Sequence, residues 1–275
     1  MTAREALREA ARRIPPRDAA LLVDQVLGMG PHGVYREPQR ALDAHARRWL
    51  ARAVAARARG VPLAYLRGWR EFHGHVFRVS PRVLVPRPES EHLVEAALAW
   101  IDAGIEVTVA ELGVGSGAVL ASILRMRPRA RGIGSDVDPG ALAVARRNFR
   151  ALGLAGRVTL LAGDLTAPLV ARGLRVPLLI MNPPYVPTAA LAADPLLAPE
   201  PRVALDGGVD GLDFYRRLRR EAPRVVRPGG HLVVELGDGQ RPQVQAILGE
   251  LGPVRVSRDL AGVERVMVVE IGHAL

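Results

Sequence analysis

The fold of this 275-residue chain is decided by one short stretch, ELGVGSG, at residues 111–117. It stands between an apolar run, 107–112, and a segment with helical periodicity, 118–126. Alternating glycines let the backbone turn tightly, and they let its N–H groups approach a ligand at the N-terminus of the following helix. The stretch therefore predicts a strand, a ligand-binding loop and a helix.

Around this loop, from residue 88 to residue 275, strand-like and helix-like hydrophobic periods alternate. Strands are predicted at 107–112, 132–136, 158–161, 178–181, 231–236, 254–257 and 266–270. Helices are predicted at 89–101, 118–126, 140–152, 212–225 and 242–251. This alternation predicts an α/β fold with a mostly parallel, doubly wound sheet of seven strands, and such sheets bind ligands at the carboxyl ends of their strands.

The N-terminal part has a different pattern, which predicts a small helical bundle over residues 1–70. The first predicted helix carries Leu7, Ala10, Ala11 and Ile14 and stops at Pro15-Pro16. The second spans 18–27, with Leu21, Leu22 and Val26 inward, and the third spans 43–59. Residues 71–87 alternate around Gly74 as a β-hairpin would. We therefore expect three parts, the bundle at 1–70, a hairpin linker at 71–87 and an α/β domain at 88–275.

Composition excludes several classes of protein. The chain has no cysteine, so it has no disulfide, thiol nucleophile or cysteine-ligated metal. No apolar run approaches the roughly 18 residues of a membrane span. The first 13 residues also lack the continuous apolar region of a signal peptide, so a cytoplasmic protein is expected. His73 and His75 could share one face of a strand, but no third ligand accompanies them, and no metal is predicted.

The net charge of +10 comes from 38 basic residues, all of them arginine, against 28 acidic ones. A biased composition on a solvated surface explains this charge, and so does a polyanionic partner such as RNA. The charge does not choose between them.

The glycine loop by itself leaves its ligand open. Gly113-x-Gly115-x-x-Ala118 satisfies the dinucleotide fingerprint, and Asp136, at the end of the next predicted strand, is placed to bind a ribose in a nicotinamide or an S-adenosylmethionine enzyme. Glu111 favours S-adenosylmethionine, since its carboxylate would attract the methionine ammonium group and repel a pyrophosphate. Asp164, at the end of the third strand, is placed to accept a hydrogen bond from an adenine amino group.

The second motif is NPPY at residues 182–185, directly after the predicted strand 178–181. Its two prolines fix the backbone, so the motif is a rigid shelf. The Asn182 side-chain oxygen and the Pro183 carbonyl oxygen could grip the two N–H bonds of a planar NH2 group and turn its lone pair toward an electrophile. Tyr185 could cover the flat face of that group.

Together these residues resemble class I S-adenosylmethionine-dependent methyltransferases, and more narrowly the HemK family of protein-(glutamine-N5) methyltransferases, which modify peptide-chain release factors. Further segments that resemble the family are 65–68, 71–77, 86–91 (PRPESE), 200–215, 228–230 and 259–262. The chain has Ser90 where the family usually has Thr, Glu111 for Asp, Val114 for Thr, and Leu165 where some members carry an aromatic residue.

The resemblance implies a Rossmann-like methyltransferase domain, a small N-terminal helical bundle that docks the protein substrate, and a β-hairpin that joins them. The implied reaction transfers the methyl group of S-adenosyl-L-methionine to the side-chain amide nitrogen of a release-factor glutamine, with S-adenosyl-L-homocysteine as product. The implied cofactor-binding residues are Glu111, Gly113, Val114, Gly115, Ser116, Gly117, Asp136, Asp164, Leu165 and Asn182. The implied substrate-binding residues are Asn182, Pro183, Pro184, Tyr185, Arg87 and Glu89, of which Asn182, Pro183 and Tyr185 are the implied catalytic residues.

Other functions stay open at this point. A ribosomal-protein glutamine is a near alternative, and NPPY would also suit an exocyclic amine of RNA or DNA. A nicotinamide-dependent oxidoreductase would leave the tetrad without a role, and a non-catalytic binding module would not need Asn182 and Tyr185 intact. Residues 186–199 are expected to form no helix or strand, and their place after the tetrad favours a lid.

Overall fold

The computed structural model describes residues 1–259 and 261–272. Leu260, in the 259–262 motif, and residues 273–275, at the end of the predicted α/β domain, lie outside the described residues. The chain divides into two units, Met1–Trp69 and Arg70–Leu275. No helix in the described part is long and apolar enough to cross a membrane.

The first unit is a bundle of helices around a core of alanine and larger aliphatic side chains, such as Ala6, Leu22 and Leu50. Its first helix starts with a capping box, in which the Thr2 and Glu5 side chains each accept a hydrogen bond from the other's backbone N–H. The helices are α1 (Ala3–Ala10), α2 (Pro16–Val26), α3 (Gly33–Arg36), α4 (Ala44–Ala58) and α5 (Leu63–Arg67).

The sequence pattern missed α3 and α5, because elements of four and five residues are too short to show a helical period. Its inward face for α2 was right at Leu22, which is in the core, and at Val26, which packs against the core, but it missed Val23. Leu22 and Val23 are buried, whereas Leu21 and Val26 are only partly buried. Pro16 begins α2 instead of only ending the previous run, since proline is well suited to the first turn of a helix.

The predicted hairpin is present as β1 (Trp69–Phe72) and β2 (His75–Arg78). Its two-residue turn, His73-Gly74, has φ angles of 48° and 71°, the positive values that a type I′ turn requires. The expectation that His73 and His75 share a strand face is therefore wrong, because His73 lies in the turn. Among the described residues, no three His, Cys, Asp or Glu side chains are grouped to hold a metal ion.

The second unit is built on a seven-stranded sheet, which confirms the predicted α/β class. The strands are β3 (Thr108–Leu112), β4 (Arg131–Asp136), β5 (Val158–Ala162), β6 (Val176–Met181), β7 (Val226–Glu235), β8 (Val254–Arg258) and β9 (Glu264–Glu270). Five of them, in the order β5-β4-β3-β6-β7, are parallel, and β9 pairs antiparallel with both β7 and β8 at one end.

Helices cover both faces of this sheet, so side chains that alternate along each strand enter two separate cores. The helices of this unit are α6 (Glu91–Leu98), α7 (Ala118–Met126), α8 (Pro139–Ala151), α9 (Ala167–Val170), α10 (Thr188–Ala193), α11 (Asp213–Val225) and α12 (Arg241–Leu248). Along β3, Val109 joins the core under α6, α7 and α8, and Ala110 joins the core under α11 and α12. The expectation of no element in 186–199 is wrong, since the alanine-rich run there forms α10.

The central strand β3 lies between β4 and β6, and Leu112 is level with Met181 across the sheet. The chain runs from β3 to β4 on one side of this point and from β6 to β7 on the other. Such a point is a topological switch point, where doubly wound sheets bind ligands. The glycine loop follows Leu112 and the NPPY tetrad follows Met181, so the fold brings the two predicted motifs together.

Candidate functional site

A cavity of about 390 Å³ opens at the switch point. Most of the residues predicted to bind the cofactor line it, and so do three of those predicted to bind substrate, one of which, Asn182, was predicted for both roles. The predicted residues that line it are Glu111, Gly113, Val114, Gly115, Ser116, Asp136, Asp164, Leu165, Asn182, Arg87 and Pro184.

The glycine loop needs its glycines for its backbone geometry. Gly113, Gly115 and Gly117 have φ angles of 65°, 51° and 79°, in the left-handed region that favours glycine. Gly117 does not line the cavity. A Cβ added there would lie 2.8 Å from Cζ of Phe149, so this glycine lets α7 begin against the ring.

Asp136 organises the loop from the end of β4. Its carboxylate accepts hydrogen bonds from the backbone N–H of Gly115 and of Asp138, both at 2.9 Å. Burial is the main influence on its pKa, which is raised. A carboxylate has about four acceptor positions, so two remain for hydroxyl donors in the cavity, such as those of a ribose.

Glu111 lies under the loop with only 4% of its surface exposed. Its Oε2 accepts a hydrogen bond from the N–H of Leu120 at 3.0 Å, and burial raises its pKa to about 8. A buried carboxyl of this kind is stabilised in its ionised form by a cation, so the position fits the ammonium group of a methionine moiety.

Asp164, the predicted acceptor for the adenine amino group, already accepts hydrogen bonds within the protein. Asp164 accepts two hydrogen bonds from the guanidinium group of Arg217, at 3.1 and 2.8 Å. The neighbouring wall is apolar and includes Leu165 and Phe214. Phe214 was not identified from the sequence, and it provides an aromatic ring that the residue after Asp164 lacks here.

A second cavity of about 170 Å³ adjoins the first. It is lined by Pro183 and Tyr185, while Asn182 and Arg87 line both cavities. Glu89 lines neither of these two cavities. Asn182 thus stands where two spaces meet, one shaped by the glycine loop and one shaped by the tetrad.

Arg87 is held at this junction by a buried acid that sequence reasoning did not place in the site. Its guanidinium group pairs with Glu200, which has 6% of its surface exposed and also accepts a hydrogen bond from the N–H of Val85 at 3.0 Å. The motif EP at 200–201 therefore fixes the PRPESE segment, and with it the position of Arg87.

A chain of side-chain hydrogen bonds lies behind the tetrad. The Asn182 amide nitrogen donates to Oγ of Ser90 at 3.1 Å, and the Ser90 hydroxyl donates to Glu235 at 2.6 Å. The Tyr185 hydroxyl lies 3.4 Å from the other carboxylate oxygen of Glu235. Glu235 was not singled out in the sequence, where it reads only as the end of a buried strand.

Comparisons with known proteins show the family of this chain. Residues 1–68 match the family model of the PrmC N-terminal domain, and residues 91–198 match that of the methyltransferase small domain. A release factor glutamine methyltransferase of Moorella thermoacetica is 44% identical over 96% of this chain and 97% of its own length. One of Rhodospirillum rubrum is 40% identical over 95% of this chain and 81% of its own.

Among solved structures, a methyltransferase from Pyrococcus furiosus aligns with a TM-score of 0.52. It is 20% identical and covers 72% of this chain and 89% of its own. This similarity concerns the fold, and it agrees with the seven-stranded sheet described above.

Proposed function

This chain belongs to the release factor glutamine methyltransferase family, and we propose that it methylates the side-chain amide nitrogen of one glutamine in a peptide-chain release factor. The observation that carries the proposal is the position of Asn182, which lines both the cavity of the glycine loop and the cavity of the tetrad. A residue at that junction touches the methyl donor on one side and the amide acceptor on the other.

S-adenosylmethionine, the cofactor, supplies an electrophilic methyl group on a sulfonium. In our proposal Asp136 holds its ribose and Glu111 holds its ammonium group, because both carboxylates line the larger cavity. The base packs on Leu165 and Phe214. Asp164 orders this wall through Arg217, and it needs to release that partner if it is to accept from the adenine amino group.

The tetrad prepares the acceptor. An amide nitrogen is a poor nucleophile because its lone pair is delocalised into the carbonyl group. Asn182 Oδ1 and the Pro183 carbonyl oxygen accept its two N–H bonds, hold the nitrogen in line with the methyl group and stabilise the positive charge that develops on it. Pro184 keeps the shelf rigid and Tyr185 covers the amide plane. The N–C bond would form as the sulfur–methyl bond breaks, which leaves S-adenosylhomocysteine, and the amide nitrogen would lose one proton during or after this transfer.

The substrate assignment rests on the relatives, whose names specify release factors, and on the match of residues 1–68 to their N-terminal domain. We assign protein docking to that helical unit. Arg87 at the mouth of both cavities is placed to contact the substrate backbone. Glu89 is exposed and lines neither cavity, and we assign it no contact with the substrate.

The test is mass spectrometry of a release factor incubated with this protein and S-adenosylmethionine, beside Asn182→Ala. We expect one methyl group on a single glutamine with the native protein and none with the variant. Binding of S-adenosylhomocysteine, measured by calorimetry, is the control for a folded cofactor site. Binding without methylation of the release factor would refute the substrate, and ribosomal protein and RNA would then be assayed. No binding would refute the cofactor site, and NADH would be tried.

A further inference from the structure

We infer that Ser90 and Glu235 are positioning residues, which set the direction of the Asn182 amide so that its oxygen, and not its NH2 group, faces the substrate. The inference deepens the proposed function and rests on it for its catalytic consequence. The numbers of donors and acceptors along the hydrogen bonds behind the tetrad allow only one direction for this amide.

The count starts at Glu235, the last residue of β7. Its carboxylate is nearly enclosed, with 2% of the residue exposed, and an ionised carboxylate accepts hydrogen bonds but donates none. The Ser90 hydroxyl lies 2.6 Å from Oε2, a short distance typical of a hydroxyl that donates to a carboxylate. The single proton of Ser90 is therefore committed to Glu235.

The hydrogen bond from Ser90 to Glu235 determines which end of the Asn182 amide faces Ser90. Because Ser90 has given its only proton to Glu235, its oxygen must accept from any other partner. The Asn182 group 3.1 Å away is then the NH2 end of the amide, and Oδ1 is left to the side that faces the cavities. A reversed amide would offer an NH2 group to a substrate NH2 group, and these two donors could not bond to each other.

The Tyr185 hydroxyl faces the same carboxylate, that of Glu235. Its hydroxyl lies 3.4 Å from Oε1 of Glu235, and Gln240 donates to its backbone carbonyl oxygen at 3.1 Å. Burial raises the pKa of this phenol, so it keeps its proton and can act only as donor toward Glu235. One buried carboxylate thus orients both side chains of the tetrad that touch the substrate amide.

The same count predicts a dependence on pH. A protonated Glu235 could donate to Ser90, which would free the Ser90 proton for Asn182 Oδ1 and allow the amide to reverse. Burial raises the pKa of Glu235 to about 7. Two other charged groups act on it, since Glu89 raises its pKa and Arg265 lowers it, while Tyr215 donates to its backbone carbonyl oxygen at 2.9 Å. The amide should therefore be correctly oriented above about pH 7 and less so below it.

The chain offers a direct probe of this amide. Asn148 and Asn182 are its only asparagines, so labelling asparagine side chains with 15N gives two NH2 groups in a spectrum. Asn148→Gln identifies the signals of Asn182. We expect the Asn182 signals to titrate near pH 7 in the native protein and to lose this titration in Glu235→Gln. The Asn148 signals should stay unchanged in both proteins. Asn182 signals that titrate equally in both proteins, or in neither, would overturn the inference.

The catalytic consequence is tested with Ser90→Ala and Ser90→Thr, by varying the concentration of release factor at saturating S-adenosylmethionine to obtain kcat and KM. Misplacement of reacting groups by about 1 Å costs roughly 100-fold in rate, so we expect kcat to fall about 10- to 100-fold in Ser90→Ala with little change in KM. Threonine keeps the hydroxyl, and Ser90→Thr should keep both kcat and the rise of kcat with pH.

Three outcomes separate the two proposals. Native kcat and pH profile in Ser90→Ala would overturn the positioning role. Loss of activity in Ser90→Thr as well, with an unchanged melting temperature and unchanged binding of S-adenosylhomocysteine, would do the same, because the hydroxyl would not be the group that matters. No methylation by the native protein would refute the proposed substrate, and the spectra of Asn182 would still decide whether the hydrogen bonds orient its amide.

Discussion

Replacing Glu111 by Gln should change how the stability of the protein depends on pH. Glu111 is nearly enclosed beneath the glycine loop, its main-chain partner is the N–H of Leu120, and burial raises its pKa from 4.5 to about 8. Its carboxyl is therefore neutral in the folded protein at pH values where it is ionised in the unfolded chain.

The sign and size of the change in unfolding free energy with pH follow from the linkage between protonation and folding. A carboxyl whose pKa is raised by folding contributes its full stability below pH 4.5, and loses it as the pH rises toward about 8. At about 1.4 kcal/mol for each pKa unit, the difference amounts to roughly 5 kcal/mol. This is a large part of the 5–15 kcal/mol that typically separates a folded domain from its unfolded state.

The assay is urea unfolding at pH 5, 6, 7, 8 and 9 without cofactor, for the native protein and for Glu111→Gln. The free energy of unfolding of the native protein should fall by several kcal/mol more than that of the variant across this range. Comparing the two proteins removes the contribution of Glu235, which titrates in both. Parallel curves for the two proteins would refute the idea that Glu111 is neutral in the folded state.

Three further outcomes are expected. Affinity for S-adenosylhomocysteine should rise from pH 6 to 7.5 with release of a proton, because its ammonium group favours ionised Glu111, and calorimetry should find no such release in Glu111→Gln. Gly117→Ala should cost about 2–5 kcal/mol of stability from left-handed strain and overlap with Phe149, against about 1–2 kcal/mol for Gly113→Ala, where nothing lies within 4 Å of the added carbon. Asn148→Ala removes three hydrogen bonds of a buried side chain, and thermal unfolding should detect a loss of about 2–4 kcal/mol. Equal losses in the two glycine variants, or a native melting temperature in Asn148→Ala, would contradict these last two.

The features that could be predicted from the sequence are those that depend on residues close together in the chain. The helix predicted at 118–126 has the same bounds in α7, because its start is marked by the glycine loop and its apolar face is continuous. The tetrad follows its strand directly, so its place at the sheet edge was also predictable. The strand predicted at 231–236 begins earlier, at Val226, because pairing with β6 across a shift in register extends it.

The features that could not be predicted depend on residues far apart in the chain. Ser90 and Glu235 are 145 positions apart, and nothing local to either marks the hydrogen bond between them. The pairing of Asp164 with Arg217 spans 53 positions, and it changes what an acid at the end of a strand can offer to a ligand. Side chains buried at a site acquire such partners only when the sheet and helices assemble.

The order Asn182-Pro183 also affects how the protein ages. Asparagine is usually converted to aspartate when the next backbone nitrogen attacks the side-chain carbonyl and closes a five-membered imide. Proline has no N–H and its nitrogen already carries three carbons, so this ring cannot close in the usual way at residue 182. The amide on which the reaction depends is therefore shielded, by the residue that follows it, from the commonest spontaneous damage to its residue type.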